Sequence, residues 1–122
     1  MTAAFALGCD VVDVNRFGAA LVRRPGLVTR LFTAREQEDV TRDGVDVYSP
    51  VAQKRYAARF AAKEATRKAL SDRGLAWQAI AIHTGSDGAP TLHINGVASA
   101  LQVSLSHDGA VAFAVVAGMP DV

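Results

Sequence analysis

Cysteine occurs once, at Cys9, which excludes an intrachain disulfide and any cluster of thiolate metal ligands. Its expected role is that of a small buried residue. No apolar run reaches the roughly 18 residues that a membrane span needs. The stretch Met1 to Leu7 has neither the basic region nor the apolar length of a secretion signal. A soluble, cytoplasmic protein is therefore expected. With a formal net charge of +1 the chain lacks the basic excess of a general nucleic-acid binder. No nucleophile elbow is present, and His107 directly follows Ser106, so a Ser-His-Asp hydrolase is not supported. Gly85-Ser86-Asp87-Gly88 lacks the Gly-Lys-Ser/Thr ending of a phosphate-binding loop.

Acid is missing from one stretch and nearly so from another. From Val14 to Arg35 the chain carries Arg16, Arg23, Arg24, Arg30 and Arg35 with no carboxylate, and the acids follow at Glu36, Glu38, Asp39, Asp43 and Asp46. Such separation of sign fits one face that meets an acidic partner, or a solvated surface. Between Pro50 and Ser71, Lys54, Arg55, Arg59, Lys63, Arg67 and Lys68 accompany a single acid, Glu64. A basic helix of this kind fits an anion. Its lone carboxylate fits Mg²⁺, which takes one or two protein carboxylates and fills its shell with water and phosphate oxygens. A Glu64–Lys68 surface pair, contributing only about 0.3–0.5 kcal/mol, explains the same residues.

At 122 residues, half of them hydrophobic and a fifth charged, one folded domain spanning 1–122 is expected. Ala4 to Val14 reads as a buried strand interrupted by Asp10 and Asp13, with a small-residue turn at Gly8-Cys9. Val14, Phe17 and Leu21 form a helical stripe that stops at Pro25-Gly26. Thr33 and Glu36 have capping-box spacing and open a second helix. After a loop from Asp43, Ser49 and Pro50 open a long helix as N-cap and first residue. On it Tyr56, Phe60, Glu64 and Lys68 form one row that turns from apolar to charged, as in a helix leaving a core for a cleft. Beyond Gly74 the period becomes that of strands. Ile80 and Ile82 alternate, Ser86-Asp87-Gly88 turns into Thr91 to Ile94, and Asn95 to Ala100 is a turn or short helix. Leu101, Val103 and Leu105 then oppose Gln102, Ser104 and Ser106, before Asp108-Gly109 turns into Ala110 to Ala117. This is an α+β pattern: an antiparallel sheet packed on one long helix and one or two shorter ones.

Asp10, the Glu64 helix and the Ser104/Ser106/His107 strand end together fit metal-assisted phosphoryl transfer, in which positioning and charge neutralisation dominate. Gly8-Cys9-Asp10-Val11-Val12-Asp13-Val14, Arg59-Phe60-Ala61-Ala62-Lys63-Glu64-Ala65 with Lys68-Ala69, Gly88-Ala89-Pro90 and Val103-Ser104-Leu105-Ser106-His107 follow in the order of the 4′-phosphopantetheinyl transferases. The chain resembles their short, single-domain holo-acyl-carrier-protein synthase type over essentially its whole length. The Arg-Phe-Ala-Ala-Lys-Glu-Ala run with the N-terminal Gly-x-Asp carries most of the specificity.

The resemblance implies transfer of the phosphopantetheine arm of coenzyme A to a serine of apo acyl carrier protein, with release of 3′,5′-ADP. By the same resemblance Asp10 and Glu64 are metal ligands for Mg²⁺ (or Mn²⁺), and with Lys68 they form the catalytic group. Whether Glu64, a metal-bound water or Lys68 takes the serine proton stays open. Arg59, Lys63 and Lys68 would hold coenzyme A phosphates, Gly88 and Pro90 would lie beside the adenine, and Ser106 and His107 near the 3′-phosphate. Arg16, with Arg23 and Arg24, would receive the acidic carrier. A homotrimer with sites between neighbours is also implied. Asp13 stands where many relatives have Glu. Ser71 stands where a glycine often ends the long helix, which would move the helix end towards Gly74. His83 and His93 have no motif support and read as strand-surface residues. A carrier- or coenzyme-A-binding module without activity, or a domain of a larger synthase, is the alternative.

Overall fold

Small side chains decide where the long helix can go. α4 (Pro50–Ala69) buries Ala52, Ala57, Ala58, Ala61, Ala62 and Ala65, so neighbouring backbones approach it closely on several sides. Its start is as the sequence implies: the Ser49 hydroxyl accepts from Ala52 N–H at 3.2 Å, and Pro50 begins the first turn. The structure, a computed structural model, describes residues 4–120. Met1 to Ala3, part of the N-terminal stretch read above, and Asp121 and Val122 lie outside them.

Ahead of α4 come β1 (Ala6–Asp13), α1 (Val14–Arg23), α2 (Leu27–Leu31), α3 (Ala34–Val40) and a 3-10 turn at Arg42–Gly44. After it come a 3-10 turn at Trp77–Ala79, then β2 (Ile80–Thr84), β3 (Pro90–Ile94), β4 (Val97–Ala98), β5 (Gln102–Asp108) and β6 (Val111–Gly118). All pairing is antiparallel, in two three-stranded sheets of order β1-β6-β5 and β2-β3-β4. The alanines of α4 join both sheets in one cluster with Ile80, Ile82, Leu92, Ala114 and Val116. A second cluster of Leu21, Val28, Leu31, Phe32, Val40, Ala52 and Tyr56 packs the short helices on the start of α4. Among the described residues no helix is long and apolar enough to cross a membrane.

The class and most elements agree with the pattern in the sequence, and several local readings change. Gly8-Cys9 is no turn: β1 runs straight through it to Asp13, whose carboxylate then caps α1 by accepting from Arg16 N–H at 2.8 Å. Cys9 is exposed, because it falls on the face of β1 that points away from α4. The strand is buried on one face only. α2 appears where no long periodicity was available to announce it. Asn95 and Gly96, with φ of 52° and 81°, make a tight turn into β4 rather than a helix. Ser71 does not lengthen α4. It takes the left-handed conformation itself (φ 53°), and the Ser71 and Asp72 N–H groups donate to Lys68 and Arg67 carbonyls, a Schellman closure that usually has glycine at that position.

Two acids of α3 close the free edge of β2. Ile82 N–H donates to Glu36 Oε2 at 3.0 Å and Thr84 N–H to Asp39 Oδ2 at 2.9 Å, so carboxylates three residues apart on a helix replace the carbonyls of a missing strand. Glu36 also completes the expected capping box with Thr33.

On the other side of α4 the tightest approach is at Gly8. A Cβ there would lie 2.7 Å from Ala69 N and closer still to Ala65 O, both backbone atoms that cannot turn aside. Gly8→Ala is expected to lower stability by about 1–3 kcal/mol or more through overpacking, read as a fall in the thermal unfolding midpoint. A wild-type midpoint would mean that α4 is free to move off β1.

Candidate active site

Asp10 faces α4 because it shares the inward side of β1 with Ala6 and Gly8. Lys68, near the exposed end of α4, donates from Nζ to Asp10 Oδ1 at 2.9 Å and to Cys9 O at 3.0 Å. The sequence reading of a Glu64–Lys68 pair therefore gives way to Lys68–Asp10. Glu64 sits one turn before Lys68, and Asp10, Glu64, Arg16 and Arg23 line one cavity of about 410 Å³. Glu64 also borders a cavity of about 810 Å³ with Arg67, Lys68, Ser71, Arg73 and Trp77. Partial burial, and next the charge of Asp10, push the Glu64 carboxyl above its ordinary range, against the pull of Lys68 and Arg67. The hydrogen bond to Asp10 holds the Lys68 ammonium above its ordinary value.

Two mutually repelling carboxylates on one cavity could hold a hard cation. Asp13 also borders this cavity, but its carboxylate caps α1, and among the described residues no group of three His, Cys, Asp or Glu is placed to hold a metal ion. That donor set does not suit Zn²⁺, with its four-coordinate nitrogen and sulfur shell, or Ca²⁺, with its many protein oxygens. It fits Mg²⁺, which keeps water and substrate oxygens. Asp10 retains Oδ2 for such a contact while Oδ1 is engaged by Lys68.

The basic row of α4 has a different use from the one its composition implied. Arg55, Arg59, Lys63 and Arg67 recur every fourth residue, and each reaches out to a neighbouring segment. Arg55 donates to Val40 O at 2.8 Å, Arg59 to Thr84 Oγ1 at 2.7 Å, and Arg67 to Leu75 O at 2.8 Å while its guanidinium lies 3.3 Å from the Trp77 ring centroid. Lys63 is a correction to the phosphate-binding set. It is fully buried, and its ammonium is taken by Leu31 O, Trp77 O, Ile80 O and Glu36. Burial lowers its pKa, against the pull of Glu36.

Arg59 differs from Lys63. It is buried, its Nε has no partner, and among the described residues no carboxylate comes within ion-pair distance. Burial lowers its pKa, so a bound anion would be welcome. With Gly88 and Pro90 it lines a third cavity, of about 430 Å³, whose wall also includes Arg42, Arg55, Asp39 and Ser104. Arg42 and Arg55 were not singled out from the sequence. Arg55 was visible as the start of the i,i+4 basic row, and Arg42 had no local signal. Ser106 and His107 do not line this cavity; they are exposed towards the end of β5, paired with Phe113 and Ala112 of β6. Arg16 and Arg23 are exposed beside Asp10, whereas Arg24 is exposed just past the end of α1 and outside that cavity. His83 and His93 are half-buried and stacked on each other at 3.9 Å, and burial and then His93 lower the His83 pKa.

Residues 6–116 match the profile of the 4′-phosphopantetheinyl transferase superfamily. A holo-[acyl-carrier-protein] synthase of Salinispora arenicola is 46% identical over 121 residues, covering 91% of this chain and 94% of that one. The corresponding synthase of Frankia casuarinae is 41% identical over 124 residues, covering 93% and 96%. A crystal structure of the Bacillus anthracis synthase in complex with CoA (3′,5′-ADP) superposes with a TM-score of 0.80 at 25% identity, covering 97% of this chain and all of that one. The chain belongs to the 4′-phosphopantetheinyl transferase superfamily. Within it, the chain is of the holo-[acyl-carrier-protein] synthase type, a transferase.

Asp39 provides a pH test of the wall between cavity and sheet edge. Burial raises its pKa, but the Thr84 N–H bond and the Arg35 and Arg42 guanidiniums outweigh that and bring it below 3.8. Its contribution is thus complete above the unfolded value and disappears as pH falls through the lower folded one. Asp39→Asn is expected to be less stable than wild type by about 1–2 kcal/mol at neutral pH, discounted for the half-exposed arginines. The gap should narrow below about pH 4. A gap in denaturation midpoint that stays constant with pH would contradict this.

Proposed function

We propose that this chain transfers the 4′-phosphopantetheine arm of coenzyme A to a serine of an apo acyl carrier protein, releasing 3′,5′-ADP, and that residues 1–122 act as one transferase domain. The observation that carries the reading is that Asp10 and Glu64 share a cavity edged by Arg16 and Arg23, while Lys68, on the adjoining cavity with Glu64, donates to Asp10. The Bacillus anthracis relative, solved with CoA (3′,5′-ADP), supports coenzyme A as substrate. Serving carriers of fatty-acid or polyketide synthesis would make it a cytoplasmic enzyme.

Asp10 and Glu64 would hold Mg²⁺, with Mn²⁺ able to replace it. When bound, the ion would neutralise charge on the pyrophosphate as the leaving group departs. The serine oxygen forms a bond to the β-phosphorus, and the bond from that phosphorus to the oxygen of 3′,5′-ADP breaks. Lys68, kept protonated by Asp10, offers positive charge and is a poor base. That leaves the Glu64 carboxylate, or a water beside it, to accept the serine proton. Arg59, with Arg42 and Arg55 on the same cavity, would take the phosphates of the nucleotide end, beside Gly88 and Pro90.

The cavity with Asp10 and Glu64 and the cavity with Arg59 have no residue in common. The outer face of the first sheet leaves Leu7, Val11 and Val111 exposed. Both features support a homotrimer in which neighbours complete each other's sites, with Ser106 and His107 facing the next copy. Exposed Arg16, Arg23 and Arg24 would receive the acidic carrier, with the salt sensitivity of electrostatic docking.

Intact mass of an apo carrier, incubated with the protein, coenzyme A and Mg²⁺, tests the function through addition of the arm. Glu64→Gln is expected to reduce transfer by at least about 10²-fold with the circular dichroism spectrum retained. A wild-type rate would remove Glu64 from the chemistry. Arg16→Glu is expected to weaken carrier binding by about tenfold while coenzyme A binding is unchanged. Equal carrier affinity in the two proteins would reject the docking face.

A further inference from the structure

We propose that Lys63 is a positioning residue for transfer: one buried ammonium fixes the rotation of α4, and so the direction of Glu64, against four other segments of the chain. This inference rests on the transferase reading above. Lys63 cannot itself bind a ligand phosphate. It is 0% exposed, and its three N–H donors already face four oxygens: Leu31 O at 2.7 Å, Ile80 O at 2.7 Å, Trp77 O at 3.0 Å and Glu36 Oε1 at 2.6 Å.

Those oxygens belong to separate pieces: the end of α2, the 3-10 turn at Trp77, the first residue of β2 and the first turn of α3. Their carbonyls need donors in the interior, and a lysine supplies them from a single point. Glu64 is the next residue along, about 100° round the helix from Lys63, so any rotation of α4 swings its carboxylate across the cavity. Trp77 transmits the same constraint. Its carbonyl accepts from Lys63, while its ring borders the cavity shared by Glu64 and Lys68, under the Arg67 guanidinium. Phe60 packs on that ring at 5.2 Å and stacks on Phe17 of α1 at 4.9 Å, and Phe17 lines the Asp10 cavity. Arg59 is on the same helix one turn earlier, but its guanidinium has its own anchor outside α4, donating to Thr84 Oγ1 of β2 at 2.7 Å. Losing Lys63 should therefore disturb the reacting end of the site and spare the Arg59 cavity.

The test compares wild type, Lys63→Met and Glu36→Gln in the carrier-transfer assay, with 3′,5′-ADP affinity by titration calorimetry and rates expressed per folded molecule from near-ultraviolet circular dichroism. For Lys63→Met, kcat is expected to fall about 10–100-fold, as for a misplaced reacting group, with more Mg²⁺ needed for half-maximal rate. The 3′,5′-ADP affinity should stay within about twofold. Glu36→Gln keeps the shape of the side chain and leaves Lys63 in place, but weakens the charge pairing and gives up one acceptor, the one facing Ile82 N–H, so a smaller loss in the same direction is expected. A tenfold loss of nucleotide affinity at unchanged kcat would make Lys63 a phosphate ligand and overturn the proposal. A wild-type kcat in folded Lys63→Met would reduce it to a stabilising residue. Should Lys63→Met fail to fold, a wild-type kcat in Glu36→Gln overturns the proposal, and a lowered one supports it. Absence of transfer by the wild-type chain would instead reject the function, and the positioning role with it.

Discussion

The buried carboxylate of Glu36 gathers more of this fold than any apolar contact does. One oxygen takes Thr33 N–H at 2.9 Å and the Lys63 ammonium at 2.6 Å, and the other takes Ile82 N–H at 3.0 Å. Neither charged side chain is exposed to any extent. A buried ion pair of this kind contributes little net stability against an apolar replacement, but removing one partner costs about 3–5 kcal/mol because a charge is left alone. Its value lies in selection. Hydrophobic clusters of alanine, leucine and isoleucine would tolerate several rotations of a helix, whereas a carboxylate and an ammonium with five named partners tolerate one.

That constraint meets a second on the opposite side of α4. Gly8 and the alanines let β1 and the helix come so close that a single methyl group would collide with helix backbone. Held by Glu36 and Lys63 on one flank and by β1 on the other, α4 delivers Glu64 and Lys68 to the place where β1 presents Asp10. The chemistry of the cavity follows from this packing. Burial first, and then the charge of Asp10, leave Glu64 with a raised proton affinity at the mouth, while Asp10 itself is paired with Lys68. The row Tyr56, Phe60, Glu64, Lys68 crosses from interior to solvent along the same helix face.

Much of this was legible because it is local. The Thr33 capping box, the Ser49-Pro50 start and the alternation of β5 depend on neighbours in the chain, and all three are present as read. Residue chemistry suggested grouping Asp10 with the Glu64 helix, and the family resemblance added Lys68 and the roles of all three. What escaped was the destination of long side chains. Lys63 and Arg59 look alike in sequence and occur on one row, yet one is saturated by carbonyls and the other retains an unpartnered Nε. Which of them meets a phosphate depends on where α2 and the Trp77 turn end, and no periodicity encodes that. Cys9 was misjudged for a related reason: an apolar run does not say whether a strand is covered on one face or both.

The two α3 acids along β2 have a bearing on how this protein behaves in company. A strand with open N–H groups invites another chain to pair with it, and natural sheets guard such borders with charge, short strands or a covering element. Here the second sheet finishes in a two-residue strand on one border and in Glu36 and Asp39 on the other. The carboxylates answer the very groups an intruding strand would seek. Asp39 thus serves two ends at once: it balances Arg35 and Arg42, and it occupies a backbone donor on a border where another chain could otherwise pair.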